Sequence, residues 1–221
     1  MIPLKDVIPT RTSPGVTISL ITLNVLVFVY QATLSPAEVE DFILVFGLVP
    51  ADFSMLTMFT SMFVHGGLAH VGGNLLYLWI FGDNIEDRLG HTRFLMFYLA
   101  CGAVAALSQA AMDPGSVIPM VGASGAIAGV MGGYFVLYPH SRVLTLFPFP
   151  IMIFEVPAIF FLGLWFFVQF LSGLGSLAAA AGTELPGGVA FWAHVMGFVA
   201  GVMLVRVMRR PERERVEWWG A

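Results

Sequence analysis

Residues 119–139 read PMVGASGAIAGVMGGYFVLYP, and this stretch decides how the rest of the chain must be organised. It is apolar enough for the interior of a membrane, yet Ser124 stands among small residues where a helix would begin. A helix over residues 124–138 would be about 22 Å long, whereas the hydrocarbon core of a bilayer is about 30 Å thick. Irregular backbone at that depth requires burial in protein or a wet cavity. We therefore expect Ser124 to lie below the outer surface and to face a water-filled pocket.

The composition is that of an integral membrane protein. Of the 221 residues, 58% are hydrophobic and 11% are charged, and the mean hydropathy is +0.86. These values predict a single all-α membrane domain held together by helix packing. Nothing in the charge pattern indicates nucleic-acid binding. Cys101 is the only cysteine, which excludes an internal disulfide and a thiolate metal site. No His-Glu-x-x-His motif occurs either, so neither a metal nor another cofactor is predicted.

Six apolar segments along the chain are predicted to span the membrane as helices. They cover residues 16–33, 65–81, 94–111, 124–138, 150–171 and 187–208. Together they make residues 16–208 the membrane domain, between a polar lead at 1–15 and a charged tail at 209–221. The fourth of these spans is the short one that begins at Ser124.

The basic residues predict the orientation of these spans. All of them lie in the two tails, near the end of the last span, or in the second and fourth connectors; they are Lys5, Arg11, Arg88, Arg93, Arg142, Arg206, Arg209, Arg210, Arg213 and Arg215. With six spans these segments share one side, which the positive-inside rule makes cytoplasmic. We therefore predict a multi-pass protein of the cell membrane with both termini in the cytoplasm and a site that opens to the outer side.

Two stripes of small residues suggest which helices are neighbours. One stripe recurs every four residues in the fourth span and the other in the sixth; they consist of Gly125, Gly129 and Gly133, and of Ala193, Gly197 and Gly201. Small-residue stripes let two helices approach closely. If the two stripes face each other, Ser124 and His194 lie at the same depth. The stripes could equally pack on different neighbours, which would separate the two side chains.

A serine becomes an effective nucleophile when a neighbouring neutral histidine takes its proton. Glu155, in the fifth span, is predicted at the cytoplasmic end, so no carboxylate is available as a third member and a dyad is the most the pattern allows. His70 and Asn74 are four residues apart and share a helix face at a similar depth. With the Ser124 amide they could donate to a developing oxyanion, or they could be hydrogen-bonding contacts between helices.

Other polar and aromatic residues in the spans are assigned simpler roles. His65 lies at the mouth of the second span and is expected at the interface. Asn24 and Gln169 are interpreted as interhelical contacts, and Trp165 as a packing or lipid-facing residue.

Three motifs in order resemble those of the rhomboid intramembrane serine proteases, and the likeness covers nearly the whole chain. They comprise His65, His70 and Asn74; Gly122, Ala123, Ser124 and Gly125; and Ala193, His194, Gly197 and Gly201. The resemblance implies a bundle of six transmembrane helices with a short, central fourth helix. It implies Ser124 as nucleophile and His194 as base, an oxyanion site of His70, Asn74 and the Ser124 amide, and supporting roles for Gly122, Gly125, His65 and Gly197.

The resemblance also implies that the substrate is a transmembrane segment of another membrane protein, cut near its outer end within the lipid bilayer. One departure concerns the base: where some relatives have an aromatic residue one turn after the serine, this chain has Ala128. Two alternatives stay open, an inactive rhomboid-like protein that binds membrane clients and a small multi-pass transporter. Keeping both Ser124 and His194 argues against the first, and the lack of paired intramembrane charges argues against the second.

Overall fold

The computed structural model describes residues 1–180 and 190–210, most of which are helical. The eight helices are α1 (Gly15–Gln31), α2 (Pro36–Phe46), α3 (Met55–Thr60), α4 (Leu68–Leu89), α5 (His91–Met112), α6 (Ser124–Leu137), α7 (Ala158–Ala180) and α8 (Phe191–Met208). Within the described ranges, three helices are long and apolar enough to cross a membrane, at His91–Met112, Ala158–Ser176 and Phe191–Met208, while α1 and α6 are shorter and also apolar. The start of the predicted sixth span and the tail beyond residue 210 lie outside the described residues.

The described chain is mostly helical, as predicted, but a small sheet at one end of the bundle departs from the all-α prediction. Its strands are β1 (Ile2–Asp6), β2 (Arg142–Pro148) and β3 (Ile151–Pro157), in the order β1-β2-β3 with antiparallel neighbours. The fifth span, predicted over residues 150–171, therefore begins later than expected. Strand β3 occupies Ile151–Pro157, and α7 begins at Ala158. A continuous apolar run gives the same hydropathy in a strand as in a helix, so periodicity could not separate the two. We call this end of the molecule the sheet end.

Helix α6 is buried among four other helices. Each of its residues from 125 to 134 is buried, and it packs against α4, α5, α7 and α8. The two predicted glycine stripes face each other: a Cβ on Gly197 would lie 2.1 Å from the carbonyl oxygen of Gly125, and one on Gly201 would lie 1.9 Å from that of Gly129. The alternative in which the stripes pack on different neighbours is thereby excluded.

Helix α4 runs past the predicted end of the second span at residue 81, to Leu89. Its last turns carry Glu86, which is 1% exposed. The Glu86 carboxylate accepts hydrogen bonds from the Val16 amide at 2.9 Å, the Thr17 amide at 2.8 Å and the Thr17 hydroxyl at 2.7 Å. The first amides of a helix have no partner inside it and carry partial positive charge. Glu86, which hydropathy assigned to a connector, therefore lies within a helix and bonds the first amides of α1.

Several basic residues of the described chain lie at the sheet end. Lys5 and Arg142 lie on the paired strands β1 and β2. The Arg210 amide donates to the Arg88 carbonyl at 3.0 Å, and Arg93 donates to the Met208 carbonyl at 3.3 Å. Ser124, at the other end of α6, is thus separated from these charges by the length of that helix.

Asp6 joins the sheet to the bundle, and we predict that it makes stability depend on pH. Its carboxylate accepts hydrogen bonds from the Tyr134 hydroxyl at 2.7 Å and the Asn84 amide at 2.9 Å. Burial raises the pKa of Asp6 from 3.8 to about 6, with a smaller contribution from the nearby Asp83. Because the folded state then binds the proton more tightly than the unfolded state, Asp6 should make the protein less stable as pH rises from about 4 to about 6.

Asp6→Asn should remove that dependence, since asparagine keeps a carbonyl oxygen as acceptor for both donors. Melting temperatures in detergent between pH 4 and pH 7 would check this, with the variant expected to be the more stable protein at pH 7. A variant whose melting temperature follows that of the wild type across the window would contradict it.

Candidate active site

The loop before α6 brings Ser124 to the wall of an open cavity. Met120 exchanges backbone hydrogen bonds with Leu48 at 2.8 and 2.9 Å, and the Gly122 amide donates to the Ser61 carbonyl at 2.8 Å. Gly122 has a φ of +117°, a conformation that favours glycine. Residues of the first connector thus supply hydrogen-bond partners for the irregular backbone that precedes α6.

Ser124 and His194 meet at the tops of α6 and α8. The Nε2 atom of His194 lies 2.7 Å from the Oγ of Ser124. His194 is 8% exposed, and its position follows from the close approach of Gly197 to α6 three residues later. At this distance, a neutral histidine that is unprotonated on Nε2 can accept the serine proton.

Helix α7 contributes two contacts to His194 whose partner was not predicted from the sequence. The Nδ1 atom of His194 lies 2.8 Å from the Oε1 of Gln169, and the Trp165 ring lies 5.8 Å from the imidazole, centre to centre. Trp165 therefore supplies an aromatic neighbour that Ala128 cannot. The sequence does hold a signal for these contacts. Trp165 and Gln169 are four residues apart and so share a helix face, and Gln169 is a lone amide in an apolar helix.

His70 and Asn74 lie beside the same cavity, which has a volume of about 240 Å³. It is lined from α4, α6, α7 and α8 by residues that include Tyr77, Ser124, Gln169 and His194. A Cβ on Gly122 would lie 2.7 Å from the Nε2 of His70 and 3.6 Å from the Nδ2 of Asn74, so both side chains reach the loop before Ser124.

The hydrogen bonds of these two side chains leave donors directed to the site. The Gly66 amide donates to the Nδ1 of His70 at 3.4 Å, which leaves the proton of the neutral ring on Nε2. The Nδ2 of Asn74 is buried and has no hydrogen-bond partner among the described residues. Buried amides are nearly always paired, so an unused donor beside a serine is a group that a ligand oxygen can engage.

The expectation that His65 lies at the interface was wrong. Its side chain is 1% exposed, and its ring packs edge-on against that of His70 at 5.2 Å. Gln31 of α1 holds the backbone of His65 through hydrogen bonds of 3.1 Å to both its amide and its carbonyl. His65 thus fixes the position of His70 rather than lying at the cavity mouth.

A sequence model described as the rhomboid domain matches residues 52–211. The chain belongs to the rhomboid family. It is therefore a rhomboid membrane protein, as the resemblance of its motifs implied. In the described residues of this rhomboid protein, no group of three or more His, Cys, Asp or Glu side chains is placed to hold a metal ion.

Curated relatives share about 30% of their residues with this rhomboid protein. "Rhomboid protein 1, mitochondrial" of Saccharomyces cerevisiae is 32% identical over 68% of this chain and 41% of its own length. "Rhomboid protease GluP" of Bacillus subtilis is 30% identical over 66% of this chain and 30% of its own. "Presenilin-associated rhomboid-like protein, mitochondrial" of Homo sapiens is 31% identical over 62% and 35%. The chain thus matches less than half the length of each of these relatives.

Proposed function

We propose that this rhomboid protein is an intramembrane serine endopeptidase in which Ser124 is the nucleophile and His194 is the general base. The observation that carries the proposal is the 2.7 Å separation between the Nε2 of His194 and the Oγ of Ser124. A relative whose name includes "protease", at 30% identity, supports the same activity. The Nδ2 of Asn74, which has no partner among the residues that the structure describes, adds a third argument, since acyl transfer needs donors where negative charge develops.

The proposed reaction proceeds through an acyl-enzyme. The Oγ of Ser124 attacks the carbonyl carbon of the peptide bond while its proton moves to the Nε2 of His194. The carbonyl electron pair moves onto oxygen, where the Nε2 proton of His70, the Nδ2 of Asn74 and the Ser124 amide stabilise it. His194 then returns the proton to the leaving nitrogen as the C–N bond breaks. Water, deprotonated by His194, hydrolyses the ester and regenerates Ser124.

The proposed membrane topology has six transmembrane helices, α1, α4, α5, α6, α7 and α8, with α6 short and central. Its 14 residues make a helix of about 21 Å, which leaves Ser124 within the bilayer. Since Arg88, Arg93 and Arg142 lie at the sheet end, the positive-inside rule makes that end cytoplasmic. Both termini are then cytoplasmic, in the cell membrane, and the cavity at Ser124 opens to the outer side.

The proposed substrates are transmembrane segments of other membrane proteins, cut near their outer ends. The cavity is lined by α4 on one side and by Trp165 and Gln169 of α7 on the other. Helix α7 also carries exposed apolar side chains that would face lipid. A helical segment has its carbonyl groups in hydrogen bonds, so it must unwind locally before Ser124 can attack. Unwinding costs least near the end of a helix, where the last carbonyls already lack partners and water is close.

Covalent labelling tests this function. Purified protein in detergent would be treated with a fluorophosphonate probe, followed by mass spectrometry of the modified peptide. We expect modification at Ser124 in the wild type, none at position 124 in Ser124→Ala, and little in His194→Ala, because the serine then lacks its base. Ser108→Ala is a matched control, since that serine bonds only a carbonyl of its own helix at 2.7 Å, and it should be labelled as the wild type is.

Equal labelling of all four proteins would eliminate the Ser124 and His194 dyad. An unlabelled wild type that keeps its melting temperature would instead favour the alternative of an inactive protein that binds membrane clients. Cleavage of a transmembrane substrate in proteoliposomes, lost in Ser124→Ala, completes the test of the endopeptidase activity.

A further inference from the structure

We infer that Gln169 is a positioning residue for His194 and makes the catalytic unit a Ser124, His194 and Gln169 triad. The inference rests on the proposed endopeptidase function and adds a residue to it. It starts from one contact, the 2.8 Å separation between the Nδ1 of His194 and the Oε1 of Gln169. This contact lies on the opposite side of the imidazole from Ser124.

The contact decides which nitrogen of the histidine carries the proton. A neutral imidazole has one N–H and one bare nitrogen. The Oε1 of Gln169 can only accept, so the Nδ1 of His194 must be the donor, and the bare Nε2 faces the Ser124 hydroxyl. A histidine with the other tautomer could not take the serine proton. The role given to a carboxylate in other serine proteases, holding the ring and its tautomer, is filled here by a neutral amide.

An amide suits this site better than a carboxylate would. The cavity beside His194 is lined by no Asp, Glu, Lys or Arg among the described residues, and its titratable neighbours are His70 and Tyr77 of α4. An ionised carboxylate in such a place would be costly to desolvate. A glutamine fixes the tautomer without that cost, which explains why the dyad can work with no acidic partner in the outer half of the bundle.

Gln169 also belongs to a helix that fixes the ring in a second way. Trp165, one turn earlier on α7, packs on the imidazole at 5.8 Å and on Phe198 of α8 at 6.3 Å. The ring of His194 is thus held through a hydrogen bond and an aromatic contact from α7, and by its own backbone on α8. The orientation of the base depends on α7 as well as on the α6 and α8 pair.

Two substitutions at position 169 test the inference. Gln169→Met keeps the length but cannot accept the Nδ1 proton, so turnover should fall about tenfold with the Michaelis constant unchanged. Gln169→Glu restores the acceptor and adds charge that stabilises the imidazolium. The acid limb of its pH–activity profile should move to higher pH by roughly one unit or more, while that of Gln169→Met moves to lower pH. His70 and Tyr77 are common to all variants, so differences between the profiles report on His194 and the group at position 169 with which it is paired.

Gln109→Met is the matched control. Gln109 also lies at a helix interface beside the site, but its Oε1 accepts from the backbone amide of Ala193 at 3.3 Å and not from the imidazole. We expect its pH profile to match that of the wild type. Profiles of the two Gln169 variants that coincide with the wild type, with turnover preserved, would overturn the positioning role. Absence of probe labelling at Ser124 in the wild type would instead overturn the proposed function, so the two failures are distinguishable.

Discussion

Asn74→Ala is expected to slow cleavage of a transmembrane substrate by about 10² to 10³-fold, and His70→Ala by a similar factor, since each removes a donor aimed at the oxyanion. The Nδ2 of Asn74 is buried without a partner among the described residues, so it is available to a transition-state oxygen. The Nε2 of His70 carries the ring proton because its Nδ1 accepts from the Gly66 amide. Both donors approach the loop before Ser124, at Gly122.

We expect turnover and not substrate binding to be affected, because the substrate carbonyl oxygen acquires its negative charge only in the transition state. Interactions that strengthen there raise the rate without tightening the substrate complex. Initial rates at varied substrate density in proteoliposomes would therefore show a fall in the maximal rate at an unchanged Michaelis constant. The melting temperatures should change little for His70, whose side chain is exposed.

Asn24→Ala provides the matched control for Asn74→Ala. Asn24 is also a buried asparagine in an apolar helix, but its Nδ2 donates to the Leu20 carbonyl at 2.7 Å within α1, away from the cavity. The Asn24→Ala substitution should therefore change the stability of the protein and leave its cleavage rate unchanged. Rates for Asn74→Ala or His70→Ala equal to that of Asn24→Ala would return these side chains to the alternative of interhelical hydrogen bonding.

Much of the arrangement could be predicted from the sequence because a bilayer leaves few choices. The short apolar segment after Ser124 predicted a helix that begins below the surface, and the glycine spacing predicted that α6 packs on α8. Both predictions follow from local rules, because the length of an apolar segment and the spacing of its small residues can be read without knowing the tertiary contacts. The rhomboid family followed from the same residues.

The parts that could not be predicted depend on contacts between distant segments. The apolar strand β3 has the hydropathy of a span, and only its pairing with β2 makes it a strand. Glu86 looked like a connector residue, because nothing local shows that it caps α1. Gln169 was interpreted as an interhelical contact, but its partner could not be named, because the Nδ1 of His194 comes from a helix 25 residues later. Tertiary partners of polar side chains are what a single sequence conceals.

Gly201→Ala is expected to destabilise the protein by about 3 kcal/mol, the upper part of the usual range for overpacking. The new Cβ would lie 1.9 Å from the carbonyl oxygen of Gly129 and 2.7 Å from its Cα. These are backbone atoms of α6, so no side-chain rotation can relieve the overlap and α8 must move away from α6. For a chain of this size the melting temperature in detergent should fall by roughly 10 °C, and Gly201→Val should yield no folded protein.

The same displacement should damage the proposed chemistry, although Gly201 lies two turns from His194 along α8. Ser124 and His194 are carried by the two helices that the substitution separates, and a shift of about 1 Å in a reacting pair can cost 10²-fold in rate. Gly72→Ala is the control, because a Cβ there meets nothing within 4 Å, and both its stability and its Ser124 labelling should match the wild type. Equal melting temperatures and equal rates of Ser124 labelling for Gly201→Ala and Gly72→Ala would contradict this prediction. The contact at Gly201 would then not set the distance between Ser124 and His194.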